Sequence, residues 1–410
     1  MNFFTLVNIM FRRILLENFK TFGKTEMDLT DGNLGRANHV ALLYGPNGSG
    51  KSSVIDAVAF LKLSALTLES ETDVRELASS ARRYGSEGPM SLRFWFTNDH
   101  EDGEYLMEFD PEGDLIRERL DYTINKNSGC IYDLRAEGED RMVFSRQLFK
   151  SAAAKDAFEY EVRKNWGKHT FLSILWREQK ECGRQGLSEL LGTGVLDFIG
   201  YVDEIVVCRP GYENLGPRQV DRCPESGIDG DEDSLEGFAA AADAFLPSMF
   251  KGVTSARYES SDDGSYMMVI GKEGTDAEIT LEEESQGIRE AVRILPGLLK
   301  TAGGGVALID DVEHCIHELV LKTIFEKCLP EAPGQIIAAT HSTVLLEEAS
   351  PRNVFMVDDG RIVPITSIER TQKNHNNRTR YFKGVFGALP DPAPVDLIGL
   401  ARSDSNKNII

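Results

Sequence analysis

The run His39-Val40-Ala41-Leu42-Leu43-Tyr44 passes straight into Gly45-Pro46-Asn47-Gly48-Ser49-Gly50-Lys51-Ser52, and Ser53 to Leu66 continues with apolar residues at helical spacing. A short continuous apolar run is the pattern of a strand buried on both faces. Gly, four residues, Gly, Lys, Ser between such a strand and a helix is a phosphate-binding loop in the setting its mechanism requires. Glycines 45, 48 and 50 let successive N–H groups turn inward, and the helix beginning near Lys51 adds the positive end of its dipole. Lys51 is placed to hold β and γ phosphates and Ser52 to ligate Mg²⁺, with Pro46, Asn47, Ser49 and Ser53 completing the loop and its exit. The stretch predicts an α/β fold whose mixed, mostly parallel sheet is flanked by helices.

Working outward, Phe11 to Asp28 reads as a strand leaving into a turn at Asn18-Phe19-Lys20-Thr21-Phe22-Gly23. From Met90 to Tyr122 the apolar period becomes two, through Leu92, Phe94, Phe96, Tyr105, Met107 and Phe109, as in an antiparallel meander. Phe144 to Val207 carries mostly helical spacing, and Pro210 to Glu236, with Asp229-Gly230-Asp231-Glu232-Asp233, reads as an acidic mobile loop. Two or three strands are expected between Val253 and Thr280, buried strands at Val306–Ile309 and Gln335–Ala339 with a helix Cys315 to Cys328 between them, and a closing hairpin around Asp358-Asp359-Gly360.

Three further groups carry chemistry. Leu308-Ile309-Asp310-Asp311 delivers carboxylates to a sheet edge, Asp310 for Mg²⁺ and Asp311 to polarise an attacking water. Glu is the usual residue in the second post, and the shorter Asp predicts slow turnover. Thr340-His341-Ser342 ends the next strand, where a neutral imidazole can reach a γ phosphate or the attacking water. Ser285-Gln286-Gly287 opens a helix whose N–H groups face an anion, although Ser and Gly are also ordinary helix-start residues.

In this order the motifs resemble the ATP-binding-cassette (ABC) ATPases of the RecF and SMC type. More narrowly, they resemble the overcoming-lysogenization-defect (OLD) family with its RloA-like and AriA-like anti-phage defence ATPases. The matching residues are Asn18-Phe19-Lys20-Thr21-Phe22, the phosphate loop with Ser53-Val54-Ile55-Asp56-Ala57, Ser285-x-Gly287, Ile309-Asp310-Asp311-Val312-Glu313 followed by His317, and Ala339-Thr340-His341-Ser342. The resemblance implies an ATPase head with ATP and Mg²⁺ as ligands. ATP would be sandwiched in a homodimer or higher oligomer, with Ser285, Gln286 and Gly287 of one chain facing the phosphates held by Lys51 of another. Departures are Asp311 for Glu and Glu318 after His317, and the glutamine of the Q-loop has no assigned position. Many OLD-family proteins continue into a Toprim nuclease domain. Only about 68 residues follow Ser342, so the resemblance points to a separately encoded effector, a nuclease or toxin, under control of this ATPase. A RecF/SMC-like clamp acting on DNA in repair is the alternative, although no long heptad coiled coil stands between Lys51 and Ser285.

The whole chain sets limits on these readings. Its 410 residues carry 45 Lys+Arg against 66 Asp+Glu, a formal charge of −21, and 41% are apolar. So acidic a surface disfavours a broad nucleic-acid coat and leaves only local basic contacts. One such stretch is Arg370, Lys373, His375, Arg378, Arg380 and Lys383 with Tyr381 and Phe382 interleaved, a packing segment or a nucleic-acid contact. The segment Phe3 to Phe11 matches neither a signal peptide nor a membrane span. The scattered cysteines read as reduced thiols, so a cytoplasmic protein without membrane association is expected. Glu313-His314-Cys315-Ile316-His317 falls on the expected helix after the Mg²⁺ strand, and no zinc site is assigned. The expected organisation is residues 1–89 as the N-terminal phosphate-loop part of the ATPase lobe and 90–135 as an antiparallel β subdomain. Residues 136–252 form a helical insertion holding the acidic loop, 253–369 the C-terminal lobe with signature, Walker B and His switch, and 370–410 a basic tail.

Overall fold

The computed structural model describes residues 9–30, 36–70, 72–97, 102–124, 127–138, 140–211, 232–260, 266–275, 278–369, 376–390 and 392–398. Strands β1 (Met10–Phe19) and β2 (Phe22–Asp28) form a hairpin, and β3 (Val40–Tyr44) leads into α1 (Lys51–Ser64). Two short helices, α2 (Thr67–Ser70) and α3 (Val74–Ala81), precede the meander β4 (Met90–Thr97), β5 (Asp102–Phe109), β6 (Leu115–Ile124), β7 (Asn127–Arg135) and β8 (Met142–Phe144). Helices α4 (Ala152–Asn165), α5 (Phe171–Leu190) and α6 (Thr193–Glu204) lead to β9 (Val206–Cys208), and α7 (Glu232–Met249) to β10 (Val253–Ser260), β11 (Tyr266–Lys272) and β12 (Glu278–Thr280). The remainder is α8 (Gln286–Ala302), β13 (Val306–Ile309), α9 (Glu318–Thr323), β14 (Gln335–Ala339), α10 (Thr343–Glu348), β15 (Val354–Asp358), β16 (Arg361–Pro364), α11 (Ile365–Ile368) and α12 (Asn377–Phe382).

A six-stranded sheet in the order β16-β15-β3-β14-β13-β9 lies at the centre. Its pairs are parallel except β15 with β16. Side chains alternate across a strand, and here both sets are buried. Ala41, Leu43, Val207, Leu308, Ile337, Ala339 and Phe355 enter one hydrophobic core. Leu42, Tyr44, Cys208, Ala307, Ile309, Ile336, Ala338 and Met356 enter another. The first core is completed by α1, the antiparallel strands and α4 to α6, and the second by α8, α9, α10 and the three-stranded sheet β10-β11-β12. Continuous apolar runs are therefore required, because neither face of this sheet meets water.

The antiparallel sheet is wider than residues 90–135. Its order β2-β1-β4-β5-β6-β7-β8 draws in the N-terminal hairpin through β1 against β4. Two buried contacts fasten it to the central sheet. Gln335 accepts from Phe11 N–H at 2.8 Å and donates to Phe11 O and Asn38 O, and Ile362 N–H donates to Thr25 Oγ1 at 3.2 Å.

Two expectations need correction, and two fall partly outside the described residues. The span Phe144 to Val207 is not all helix, since Val206–Cys208 forms an edge strand of the central sheet, three residues too short to show a period. The helix expected over Cys315–Cys328 begins at Glu318 with His317 as its cap, and its last five residues widen into a π turn; Cys315 cannot join because its φ is 55°. Most of the acidic stretch, residues 212–231, lies outside the described residues, and from Glu232 the backbone is helical. In the basic stretch, Arg370, Lys373 and His375 also lie outside them, whereas Arg378 pairs with Glu347 at 3.5 Å, Arg380 with Glu369, and Tyr381 is buried, as packing against the lobe demands. Among the described residues no helix is long and apolar enough to cross a membrane.

Candidate nucleotide site

Because β3, β9, β13, β14 and β15 run parallel, their carboxyl ends share one edge, the place where open α/β sheets bind ligands. The loops leaving that edge are stitched together. Asp310 N–H donates to Cys208 O at 2.9 Å, Val312 N–H to Ala339 O at 3.1 Å, and Thr340 N–H to Leu43 O at 3.0 Å. Residues more than 250 positions apart in sequence thus meet at one rim.

The phosphate loop, residues 45–52, joins β3 to α1. Gly48 and Gly50 have φ of 80° and 110°, values that favour glycine. A Cβ at Gly45 would collide with Val357 O, and one at Gly50 with Thr21 Oγ1 and the Phe22 ring. Pro46 is half-buried, Asn47 is exposed, and Ser53 is buried. The Lys51 ammonium is buried and donates to Gly45 O and Pro46 O at 3.0 and 3.2 Å. Burial lowers its pKa, against the pull of Asp311, Asp310 and Glu313.

Ser52 Oγ donates to Asp310 Oδ1 at 3.0 Å. Burial raises the Asp310 pKa, opposed by the Ser52 bond and reinforced by Asp311. A hydroxyl and a carboxylate are the hard oxygen donors that Mg²⁺ prefers. Ser49 Oγ is buried inside the loop beside Gly45, without a hydrogen-bond partner. Loop, cation and oxygen pair fit Mg-triphosphate.

Asp311 follows with φ 45°, a conformation that Asp and Asn tolerate better than longer side chains. His341, at the end of β14, is exposed and its pKa is lowered, first by burial of part of the ring and then by Lys51. Ser285 and Gln286 are exposed at the start of α8, with Ser285 as its cap. Gln286 Nε2 lies 3.3 Å from His314 Nε2, and a Cβ at Gly287 would approach Cys315 O to 2.8 Å. The structure therefore places Ser285-Gln286-Gly287 against the turn that follows Asp311, with glycine required by its own chain.

Two features at the rim escaped the sequence reading. Glu313 reaches back to Thr340 and His341. Asp56, one helical turn beyond Ser52, accepts from Lys20 Nζ and pairs with Arg209, both at 2.6 Å. Lys20 and Asp56 stood inside quoted motifs, but their meeting with Arg209 depends on β9, which carried no signal.

Two family models match parts of the chain. One, described as an AAA domain, matches residues 13–161. The other, described as "AAA domain, putative AbiEii toxin, Type IV TA system", matches residues 227–347. A search of curated proteins found no match. Among solved structures, "Crystal structure of the SmcHead bound to the C-winged helix domain of ScpA" is similar at 16% identity and TM-score 0.50, over 86% of this chain and 96% of that one. The SMC head domain from Thermotoga maritima is similar at 17% identity and TM-score 0.40, over 86% of this chain and 98% of that one. The fold is that of an SMC-type ABC ATPase head. The AAA-domain matches over residues 13–161 and 227–347 agree with that fold.

Proposed function

We propose that this chain binds and slowly hydrolyses Mg-ATP between two copies of itself, and that ATP-driven closure controls a separately encoded effector in anti-phage defence, as in the OLD-like family. The observation that carries the reading is the meeting of Lys51, Ser52, Asp310, Asp311 and His341 on one sheet edge while Ser285 and Gln286 face outward. A helix start exposed in this way is available to phosphates held by another copy. Support for a paired effector comes from the toxin–antitoxin wording of the family model over residues 227–347.

Lys51 and the loop N–H groups hold the phosphates, and Ser52 and Asp310 hold the metal. Held there, Mg²⁺ would supply charge neutralisation at the phosphates. Asp311 accepts a proton from the attacking water. A neutral His341 orients that water or the terminal phosphate. The cytoplasm is the compartment that suits an ATP-dependent switch.

The DNA-clamp reading shares the ATPase core. Here, however, α4 and α5 place Phe158, Phe171 and Leu175 in the first core and so lie on the head, where a clamp arm would project.

Association decides between closure and a monomeric role. Ser285→Arg adds bulk and charge at an exposed cap, whereas any side chain at Gly287 would push on Cys315 within its own chain. The Asp311→Asn chain is expected to dimerise with Mg-ATP in sedimentation, and adding Ser285→Arg to abolish this with ATP affinity kept. Dimerisation unchanged by Ser285→Arg would sink the sandwich. Affinity capture of the Asp311→Asn chain from its host with Mg-ATP should bring down a stoichiometric nuclease or toxin; recombination proteins and DNA would favour the clamp.

A further inference from the structure

The turn after Asp310 continues past the metal site. His314 N–H donates to Asp311 O at 2.8 Å, and with Asp311 left-handed the chain folds back over the end of β14. Both oxygens of Glu313 are engaged there. Oε2 accepts from Thr340 Oγ1 at 2.7 Å, and Oε1 accepts from the main-chain N–H of His341. Thr340 is fully buried, and its hydroxyl accepts from Ser342 N–H at 2.9 Å. Its own N–H reaches Leu43 O at the end of the phosphate-loop strand. One carboxylate thus closes a hydrogen-bonded path from β13 through β14 to β3.

We propose that Glu313 is a positioning residue that fixes the main chain at His341, so that the Asp311 turn and the histidine turn act as one unit. The inference rests on reading this rim as the nucleotide site. Glu313 is only half-buried, so its replacement opens no core cavity. Alanine removes both bonds, whereas glutamine can keep both, its oxygen accepting from His341 N–H and its NH₂ donating to the second lone pair of Thr340 Oγ1. Asp, one methylene shorter, reaches one partner.

The test compares Glu313→Ala, His341→Ala and the double variant in the full chain, with Glu313→Gln as the variant that keeps both contacts. Glu313→Ala should leave Mg-ATP affinity within about threefold and lower kcat roughly 10- to 100-fold at unchanged KM, the scale of lost positioning. In the His341→Ala background it should add almost nothing, because two residues acting through one group are not additive. Amide hydrogen exchange at His341 gives a reading independent of activity: its protection should fall at least about tenfold in Glu313→Ala and stay close to wild type in Glu313→Gln, while the Thr340 amide, held by Leu43, stays protected. If the wild-type chain hydrolyses no ATP, the nucleotide reading falls and the exchange comparison still decides the positioning role. If Glu313→Ala does not fold, Glu313→Asp carries the same expectations. Fully additive losses in the double variant, or unchanged exchange at His341 in Glu313→Ala, overturn the proposal.

Discussion

Ser52 Oγ and Asp310 Oδ1 stand 3.0 Å apart although 258 positions separate them in sequence. The contact exists because β3 and β13 flank β14 in one parallel sheet and release their loops at the same edge. It brings together, beside Lys51, the alcohol and the carboxylate that would hold Mg²⁺. Asp310→Asn keeps the shape and removes the charge. Nucleotide affinity should then lose at least about tenfold of its dependence on Mg²⁺, measured by titrating Mg²⁺ at fixed ATP.

Asp311 has φ 45°. Asn adopts this region as readily, whereas Glu does so at a cost of about 1 kcal/mol or more. Asp311→Asn is expected to keep Mg-ATP affinity and lower kcat about 10²- to 10⁴-fold. Asp311→Glu restores the commoner residue but strains the turn, so its melting temperature should fall below that of Asp311→Asn. A Glu variant as stable as wild type would show that the turn does not select the shorter residue.

His341 is held below its ordinary pKa of 6.5 by partial burial and then by Lys51, against Glu313 and Asp311. Between the folded value and 6.5 the unfolded chain binds more protons. The stability this group contributes is full above 6.5 and is lost as pH falls through the folded value. His169 is lowered in the same direction by burial. The urea midpoint should therefore fall below pH 6.5, less steeply in His341→Gln than in wild type, with His169 accounting for part of the remainder.

Glu118 on β6 is fully buried and accepts five hydrogen bonds, from Tyr105, Tyr132, Trp166 and the N–H groups of Phe171 and Leu172, at 2.7 to 3.3 Å. It ties the antiparallel sheet to the end of α4 and closes the start of α5. Burial raises its pKa, and these bonds oppose the rise. Glu118→Ala strands these donors and should cost about 3 kcal/mol or more, read by urea unfolding. A loss under about 1 kcal/mol would show that water replaces the carboxylate.

The central strands and the phosphate loop were legible because burial on both faces demands unbroken apolar runs, as in Val40–Tyr44 and Gln335–Ala339. The Asp310 and His341 ends followed from the same logic. Three-residue β9 was not legible, since its place is set by pairing with β13 and not by its own pattern. Nor was the left-handed turn at Asp311 and Cys315, because an isolated Asp or Cys carries no glycine signal. Glu313 therefore read as part of a helix until the fold brought it to Thr340.

The central claim is that the loop at residues 45–52 holds ATP, and calorimetric titration of Mg-ATP into wild-type and Lys51→Ala chains tests it most directly. Wild type is expected to bind one nucleotide per chain. Lys51→Ala should weaken binding beyond measurement, with an unchanged circular dichroism spectrum. Equal affinity in the two chains, or no binding to wild type, would contradict the account.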